Sequence, residues 1–211
     1  MSPGTQPAFD HLRRADPVLA RLLDEAGEPP AERDPSRPAP DDHYGALVRA
    51  IVGQQLSVTA ARAIYGRLLE LFGGRPPRPQ ELLDQDPEQM RAAVGLSRAK
   101  VTFLRSLAEH VLSGDLELDR LDALSDEDVI AELTAVNGLG EWTSHMFLMF
   151  QLERPDVLAV GDLGIRRAVE RAYELPGLPS AAELTELAEP WRPYRSAACR
   201  LLWRWLSNSP E

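Results

Sequence analysis

Apolar residues recur at three- and four-residue spacing through almost the whole chain, the period of helices that bury one face. In the stretch 9–26, Leu12, Leu19, Leu22 and Leu23 share one stripe, and Pro17 fits the first turn of a second helix, where its missing N–H costs nothing. Residues 27–42 break the pattern: Gly27, Pro29, Pro30, Pro35, Pro38 and Pro40 among scattered charges have the composition of a linker. From Tyr44 a helix carries Leu47, Val48, Ile51 and Val52 into Gly53-Gln54-Gln55. A second helix, from Ser57 to Gly73-Gly74, is expected to bury Ala60, Ala61, Ile64 and Leu68.

Pro76-Pro77-Arg78-Pro79 leads to short helices at about 80–83 and 87–94, then to a longer one at 97–112 that aligns Val101, Leu104, Leu107, Ala108 and Val111. Ser125 and Asp128 have the spacing of a capping box ahead of Val129, Ile130, Leu133 and Val136. That helix runs into a tight turn, Val136-Asn137-Gly138-Leu139-Gly140, and a further helix is predicted over 141–152. Arg154-Pro155-Asp156 turns the chain into an extended apolar piece, Val157-Leu158-Ala159-Val160, with helices after Asp162 and at about 194–206. There is no pair of alternating strands, no heptad, and no repeat beyond a loose echo of Gly95-Leu96-Ser97 in Gly138-Leu139-Gly140. The predicted fold class is all-α.

Composition narrows the picture. The chain has 211 residues with 44% apolar content, enough for one large core or two small lobes, and no uncharged apolar window long enough for a membrane span. Met1-Ser2-Pro3-Gly4 lacks the basic and apolar regions of a secretory signal, so a cytoplasmic protein is expected. A single cysteine, Cys199, excludes an internal disulfide and any four-cysteine zinc or iron–sulfur site. Of 23 basic residues only Lys100 is lysine, a bias typical of GC-rich bacterial genomes. The net charge of −10 argues against indiscriminate nucleic-acid binding, which counterion release would have to drive. It leaves room for a local site, because residues 115–132 alone carry eight acids against one base, Arg120.

Two features carry candidate chemistry. The turn at 136–140 can present backbone N–H groups at a helix N-terminus, where a phosphate is held without basic side chains, although an ordinary helix–helix corner would have the same sequence. Asn and Gly both tolerate positive φ, so Asn137-Gly138 can end one helix while Gly140 lets another molecule approach closely. Asp162, twenty residues beyond Trp142, is either a lone catalytic carboxylate or simply the N-cap of the next helix. Trp142 itself is either a functional aromatic or part of the core.

Five blocks in order resemble the helix-hairpin-helix DNA glycosylase superfamily, and within it the bacterial 3-methyladenine DNA glycosylase II group. They are Ile51-Val52-Gly53-Gln54-Gln55-Leu56-Ser57, Gly95-Leu96-Ser97-Arg98-Ala99-Lys100, Val136-Asn137-Gly138-Leu139-Gly140-Glu141-Trp142-Thr143, Val160-Gly161-Asp162-Leu163-Gly164-Ile165-Arg166-Arg167, and Pro193-Tyr194-Arg195-Ser196 through Trp203. The resemblance implies a two-lobed fold with an active-site cleft between the lobes. It divides the chain into 1–42, packing with the C-terminal lobe; a central lobe, 43–155, containing the helix-hairpin-helix at about 126–152; and a C-terminal lobe, 156–211, carrying the catalytic Asp.

The implied activity is excision of alkylated purines, of the 3-methyladenine and 7-methylguanine type, from duplex DNA in base excision repair. Asp162 matches the catalytic aspartate. The N–H groups of Gly138, Gly140 and Thr143 would face a DNA phosphate, and the carbonyls of Thr134, Val136 and Leu139 match positions that can hold a sodium or potassium ion, with no cofactor otherwise required. Trp142 and Trp203 match aromatics of the base pocket, and Met146, after His145, stands where some members place another. Gln55 matches the wedge that fills the duplex once the damaged nucleotide leaves, with Gln54 and Leu56 as alternatives. Arg98 and Lys100 lie in a mainly structural block. The N-terminal β-rich domain of long members has no counterpart, and Trp142 occupies the position of the lysine nucleophile of bifunctional members, which disfavours strand cleavage. A monomer acting on the nucleoid is expected. A non-catalytic helix-hairpin-helix DNA-binding module, or a glycosylase for another damaged base, is the alternative.

Overall fold

A computed structural model describes residues 6–29 and 42–208. No strand occurs among them, and the chain divides into two compact units, one of Met1–Pro38 with Leu148–Glu211 and one of Ala39–Phe147. The Pro-rich linker expected at 27–42 falls mostly outside the described residues.

In the second unit, α3 (His43–Gly53) starts at Asp42, whose carboxylate accepts the Gly45 N–H, and buries Leu47, Val48, Ile51 and Val52. The next helix, α4 (Val58–Leu71), is capped by Ser57 and ends at Gly73 and Gly74, both with positive φ. Of the four residues expected inside along α4 only Leu68 is fully buried; Ala60, Ala61 and Ile64 remain half-exposed. The helix packs on α3 and on the helix Pro87–Val94. Short helices α5 (Pro79–Asp84) and α6 (Pro87–Val94) lead to α7 (Arg98–Ser113), where the N-cap hydroxyl of Ser97 accepts the Lys100 N–H at 3.2 Å. Within the acidic stretch a 3-10 turn, Leu118–Ala123, buries Leu121. Ser125 caps α8 (Asp126–Thr134) as its spacing predicts, but the Asp128 carboxylate takes the Ser125 hydroxyl, at 2.8 Å, rather than a backbone N–H.

Helix α9 (Glu141–Phe150) follows the hairpin and runs across the boundary between the two units. In the first unit, α1 (Gln6–Ala15) and α2 (Pro17–Ala26) meet at Pro17 as expected. The apolar piece at 157–160 forms no strand; it is fixed by Val157 N–H donating to Ser196 Oγ at 2.9 Å, with Ala159 fully buried. Then come α10 (Leu163–Ala172), α11 (Ala181–Leu187) and α12 (Arg195–Asn208). Helix α11 is absent from the sequence reading, although Ser180 and Glu183 form a full capping box that announces it.

One buried carboxylate organises this unit. Asp16, only 7% exposed, caps α2 through Oδ1, with the N–H groups of Val18 and Leu19 at 2.8 and 3.3 Å. Its Oδ2 accepts the Trp191 indole N–H at 2.8 Å and the Tyr173 hydroxyl. Four donors compensate the burial of one charge, and they tie α2 to the C-terminal end of α10 and to the 3-10 turn Glu189–Trp191. Asp162 stands at the opposite end of α10.

Candidate active site and nucleic-acid interface

The hairpin is built around one glycine. Gly138 has φ +93°, and a Cβ there would lie 2.1 Å from Phe103 Cγ and 2.6 Å from Phe103 Cβ, so neither the backbone nor the packing admits another residue. Asn137 does not share the positive φ expected for the pair. Val136 and Leu139 are buried, and Leu139 N–H closes the turn on the Val136 carbonyl at 3.1 Å. Gly140 is a different case: a Cβ there would meet nothing within 4 Å, so its bareness serves no contact inside the chain and keeps the surface open.

Helix α9 makes its first backbone bond from Ser144 N–H to the Gly140 carbonyl, at 3.0 Å. The Thr143 amide, one residue ahead of Ser144, stands in the first turn of α9 at the positive end of the helix dipole. The resemblance assigns this region to a phosphate, and a helix N-terminus is a place where such an anion can be held. Thr143 is buried, whereas Trp142 is 46% exposed, which removes the core reading of that ring. His145 is buried too, and desolvation lowers its pKa against the opposing pull of Glu141 and Asp126.

The turn after α3 lies beside the hairpin. Gln55 is exposed and left-handed, φ +57°, and Leu56 next to it is 37% exposed. Gln54 is turned the other way: its amide donates to the Gly138 carbonyl at 2.8 Å and to Thr143 Oγ1 at 3.4 Å. A hollow of about 420 Å³ is lined by Gln54, Gln55, Gly140, Trp142 and Thr143, so the wedge and phosphate candidates are brought together. Lys100 supports the turn from behind, with Nζ donating to the Val52 carbonyl at 2.8 Å; partial burial lowers its pKa. Met146 is half-buried in α9.

Asp162 and Trp203 are brought together in the other unit. Asp162 is the N-cap of α10, and its Oδ1 accepts both the Ile165 N–H at 2.8 Å and the Trp203 indole N–H at 2.9 Å. The carboxylate is half-buried, so the cap reading is correct and yet does not exhaust the residue, because a cap needs no indole partner. Gly164 makes the approach possible: a Cβ there would come within 3.0 Å of Asp162 Oδ1 and 3.4 Å of Trp203 Cδ1. Phe150, 42% exposed, stacks on Trp203 with centroids 6.0 Å apart at 26°. Sequence reasoning missed Phe150, which the structure places as the last residue of α9; the signal was an aromatic with no apolar partner three or four residues further on. Cys199 is buried behind them, its thiol pushed up to about 12 by burial first, with the Asp162 charge among the smaller causes.

No group of three or more His, Cys, Asp or Glu among the described residues could hold a metal, and no helix there is long and apolar enough to cross a membrane. The cation positions implied at the hairpin are neutral carbonyls. That of Val136 already accepts the Leu139 N–H, which leaves it one lone pair for an ion.

Comparison with known proteins identifies the family. The chain is 36% identical over 196 residues to DNA-3-methyladenine glycosylase 1 of Schizosaccharomyces pombe, covering 92% of this chain and 84% of that protein. A solved 3-methyladenine DNA glycosylase from the same yeast, in complex with abasic DNA, superposes with a TM-score of 0.81 at 36% identity, over 93% of this chain and 95% of that one. A DNA-3-methyladenine glycosidase from Bacillus halodurans gives 0.81 at 37% identity, over 96% and 90%. Residues 48–193 match the family model described as HhH-GPD superfamily base excision DNA repair protein, and with the hairpin, the capped Asp162 and the all-helical fold in place the chain belongs to that superfamily.

Proposed function

We propose that the protein is a monofunctional DNA glycosylase that flips alkylated purines out of duplex DNA and hydrolyses their N-glycosidic bond. The observation that carries this reading is the Asp162 carboxylate, held by Ile165 N–H and Trp203 Nε1–H beside the Trp203–Phe150 stack. Cleavage leaves a sugar with oxocarbenium character, and a fixed carboxylate near C1′ stabilises that charge while orienting the attacking water. The bond electrons leave with the base, water adds to C1′, and its proton is released. A base methylated at N3 or N7 carries a positive charge that departure neutralises, so no strong general acid is needed. Trp203 and Phe150, stacked beside the carboxylate, are the candidates for contact with the extruded base, where an electron-rich ring favours a cation.

Flipping costs a few kcal/mol, less for a damaged base. Gln55, exposed on its left-handed turn, is suited to fill the gap, and the amides of Gly138, Gly140 and Thr143 to hold the phosphate. The carbonyls of Thr134, Val136 and Leu139 would hold a monovalent cation, whose part is to fix the hairpin, since carbonyl oxygens can replace the hydration shell of such an ion. The relatives named above as 3-methyladenine glycosylases, one of them solved with abasic DNA, support the substrate class. The chain's single lysine is tied to the Val52 carbonyl, which supports hydrolysis without a Schiff base. In a cell the protein would act as a monomer on bacterial nucleoid DNA.

The test is release of free bases from methylated duplex DNA, followed by chromatography, with end-labelled duplex analysed before and after hot alkali. Free 3-methyladenine or 7-methylguanine and strand breaks only after alkali are expected. No released base overturns the glycosylase reading, and breaks without alkali overturn the monofunctional one.

A further inference from the structure

We propose that Gln54 is a positioning residue that locks the wedge turn onto the phosphate-gripping hairpin, so that seizing the backbone and pushing into the duplex are performed by one stiff body. The inference rests on the glycosylase reading above and adds a mechanical coupling to it.

A side chain that displaces a base must push against stacked neighbours, and a surface turn is a poor platform for that, because loops yield more readily than the elements they join. Gln55 adds to the difficulty: at φ +57° it occupies a backbone region that L-residues avoid unless their surroundings enforce it. The enforcement is visible on both sides. Behind the turn, Gln54 N–H is bonded to the Ala50 carbonyl at 3.1 Å, and Lys100 Nζ holds the Val52 carbonyl at 2.8 Å, as a cation suits the negative end of α3. In front, the Gln54 amide crosses to the hairpin, donating to the Gly138 carbonyl at 2.8 Å and to Thr143 Oγ1 at 3.4 Å.

Both acceptors belong to the segment whose amides are the phosphate donors. Gly138 is the residue that cannot move, pinned by its own φ and by Phe103, and Thr143 is buried in the first turn of α9. A long, rotatable amide is the reverse of what a purely structural turn requires, since the Gln54 N–H already closes α3. Its side chain spends its donor on the neighbouring element instead. Adjacent residues thus divide the labour, Gln55 facing out and Gln54 anchoring it inward.

The experiment is single-turnover excision of 7-methylguanine from a duplex and from the same strand unpaired, with the wild type, Gln55→Ala, Gln54→Met and the double variant. Gln54→Met keeps length and removes the donor. We expect each single variant to lower the duplex rate about tenfold and the single-strand rate less than twofold, and the double variant to fall no more than about twofold below Gln55→Ala. Equal losses on both substrates in Gln54→Met, or losses that multiply in the double variant, overturn the coupling while leaving the wedge intact. A Gln55→Ala protein with an unchanged duplex-to-single-strand ratio overturns the wedge role and the coupling with it. Base release from neither substrate by the wild type overturns the glycosylase reading itself. If Gln54→Met melts more than 10 °C early, Gln54→Glu, which keeps a polar group and still lacks the donor, is held to the same ratios.

Discussion

Asp162→Asn separates the N-cap role seen in the structure from the catalytic role proposed for the same carboxylate. As an N-cap, Asn is as good as Asp, and its oxygen can keep the bonds now made by Oδ1 to Ile165 N–H at 2.8 Å and Trp203 Nε1 at 2.9 Å. Stability should therefore change by less than about 1 kcal/mol, the range for a charged acceptor made neutral. Catalysis should respond very differently. A unit negative charge about 4 Å from the developing sugar cation is worth about 4 kcal/mol at the effective dielectric of about 20 that suits a half-buried site. At about 1.4 kcal/mol per factor of ten, that is a rate loss of about a thousandfold.

Asp162→Ala provides the contrast, since it also deletes the cap and should cost a further 0.5–2 kcal/mol or so of stability. The assay is single-turnover release of 7-methylguanine from methylated duplex, read beside guanidinium unfolding of each variant. An Asn variant within about tenfold of wild type would show that the carboxylate does no electrostatic work on the sugar. Activity lost only in step with unfolding would reduce Asp162 to the cap alone.

Two further outcomes follow from the second unit. Gly138→Ala meets a left-handed penalty of about 1–2 kcal/mol and an overpacking penalty of about 1–3 kcal/mol against Phe103, so its denaturant midpoint should reveal a loss of about 2–5 kcal/mol; a loss under about 1 kcal/mol would refute the hairpin geometry. His145, whose pKa burial lowers from 6.5, stays neutral in the folded state while the unfolded chain takes up a proton, so its contribution to stability is present above pH 6.5 and is lost as the pH falls below it. Unfolding free energies measured from pH 7.5 to 5 should therefore fall less steeply in His145→Leu than in the wild type, and equal slopes would count against the assigned burial.

The helices were legible because the signals that define them are local. Pro17 at a first turn, Ser57 and Ser97 as caps and Gly95 as a left-handed stop each act within a few residues, and the elements begin or end where those residues stand. Burial was less legible. Ala60, Ala61 and Ile64 lie on the right face of α4, but whether a face is covered depends on what the rest of the chain brings to it. The same holds at the site. Asp162 and Trp142 could be singled out from spacing and resemblance, whereas the Phe150–Trp203 stack and the Trp203–Asp162 bond join residues 53 and 41 apart and leave no trace in a linear pattern. Gln54 is the sharpest instance: Gln54 and Gln55 are chemically identical neighbours, and only a left-handed φ at the second sends one out and the other in.

A chain of net charge −10 that handles DNA gains little from its overall charge, and the grip proposed for the hairpin would not depend on that charge. Backbone amides at the start of α9 offer hydrogen bonds and a partial positive charge at one point, and they displace far fewer counterions than a row of lysines would. Such a grip is short-ranged. With Gln55 as the proposed wedge, it would reward a phosphate only where the duplex also lets that turn come in close, and would give little to an unyielding stretch of helix. The eight acids of 115–132 increase the contrast by weakening attraction at a distance. Damaged and mispaired bases are the ones that leave the stack most cheaply, so a site that binds weakly until the duplex gives way selects for lesions through deformability as well as through the fit of the extruded base.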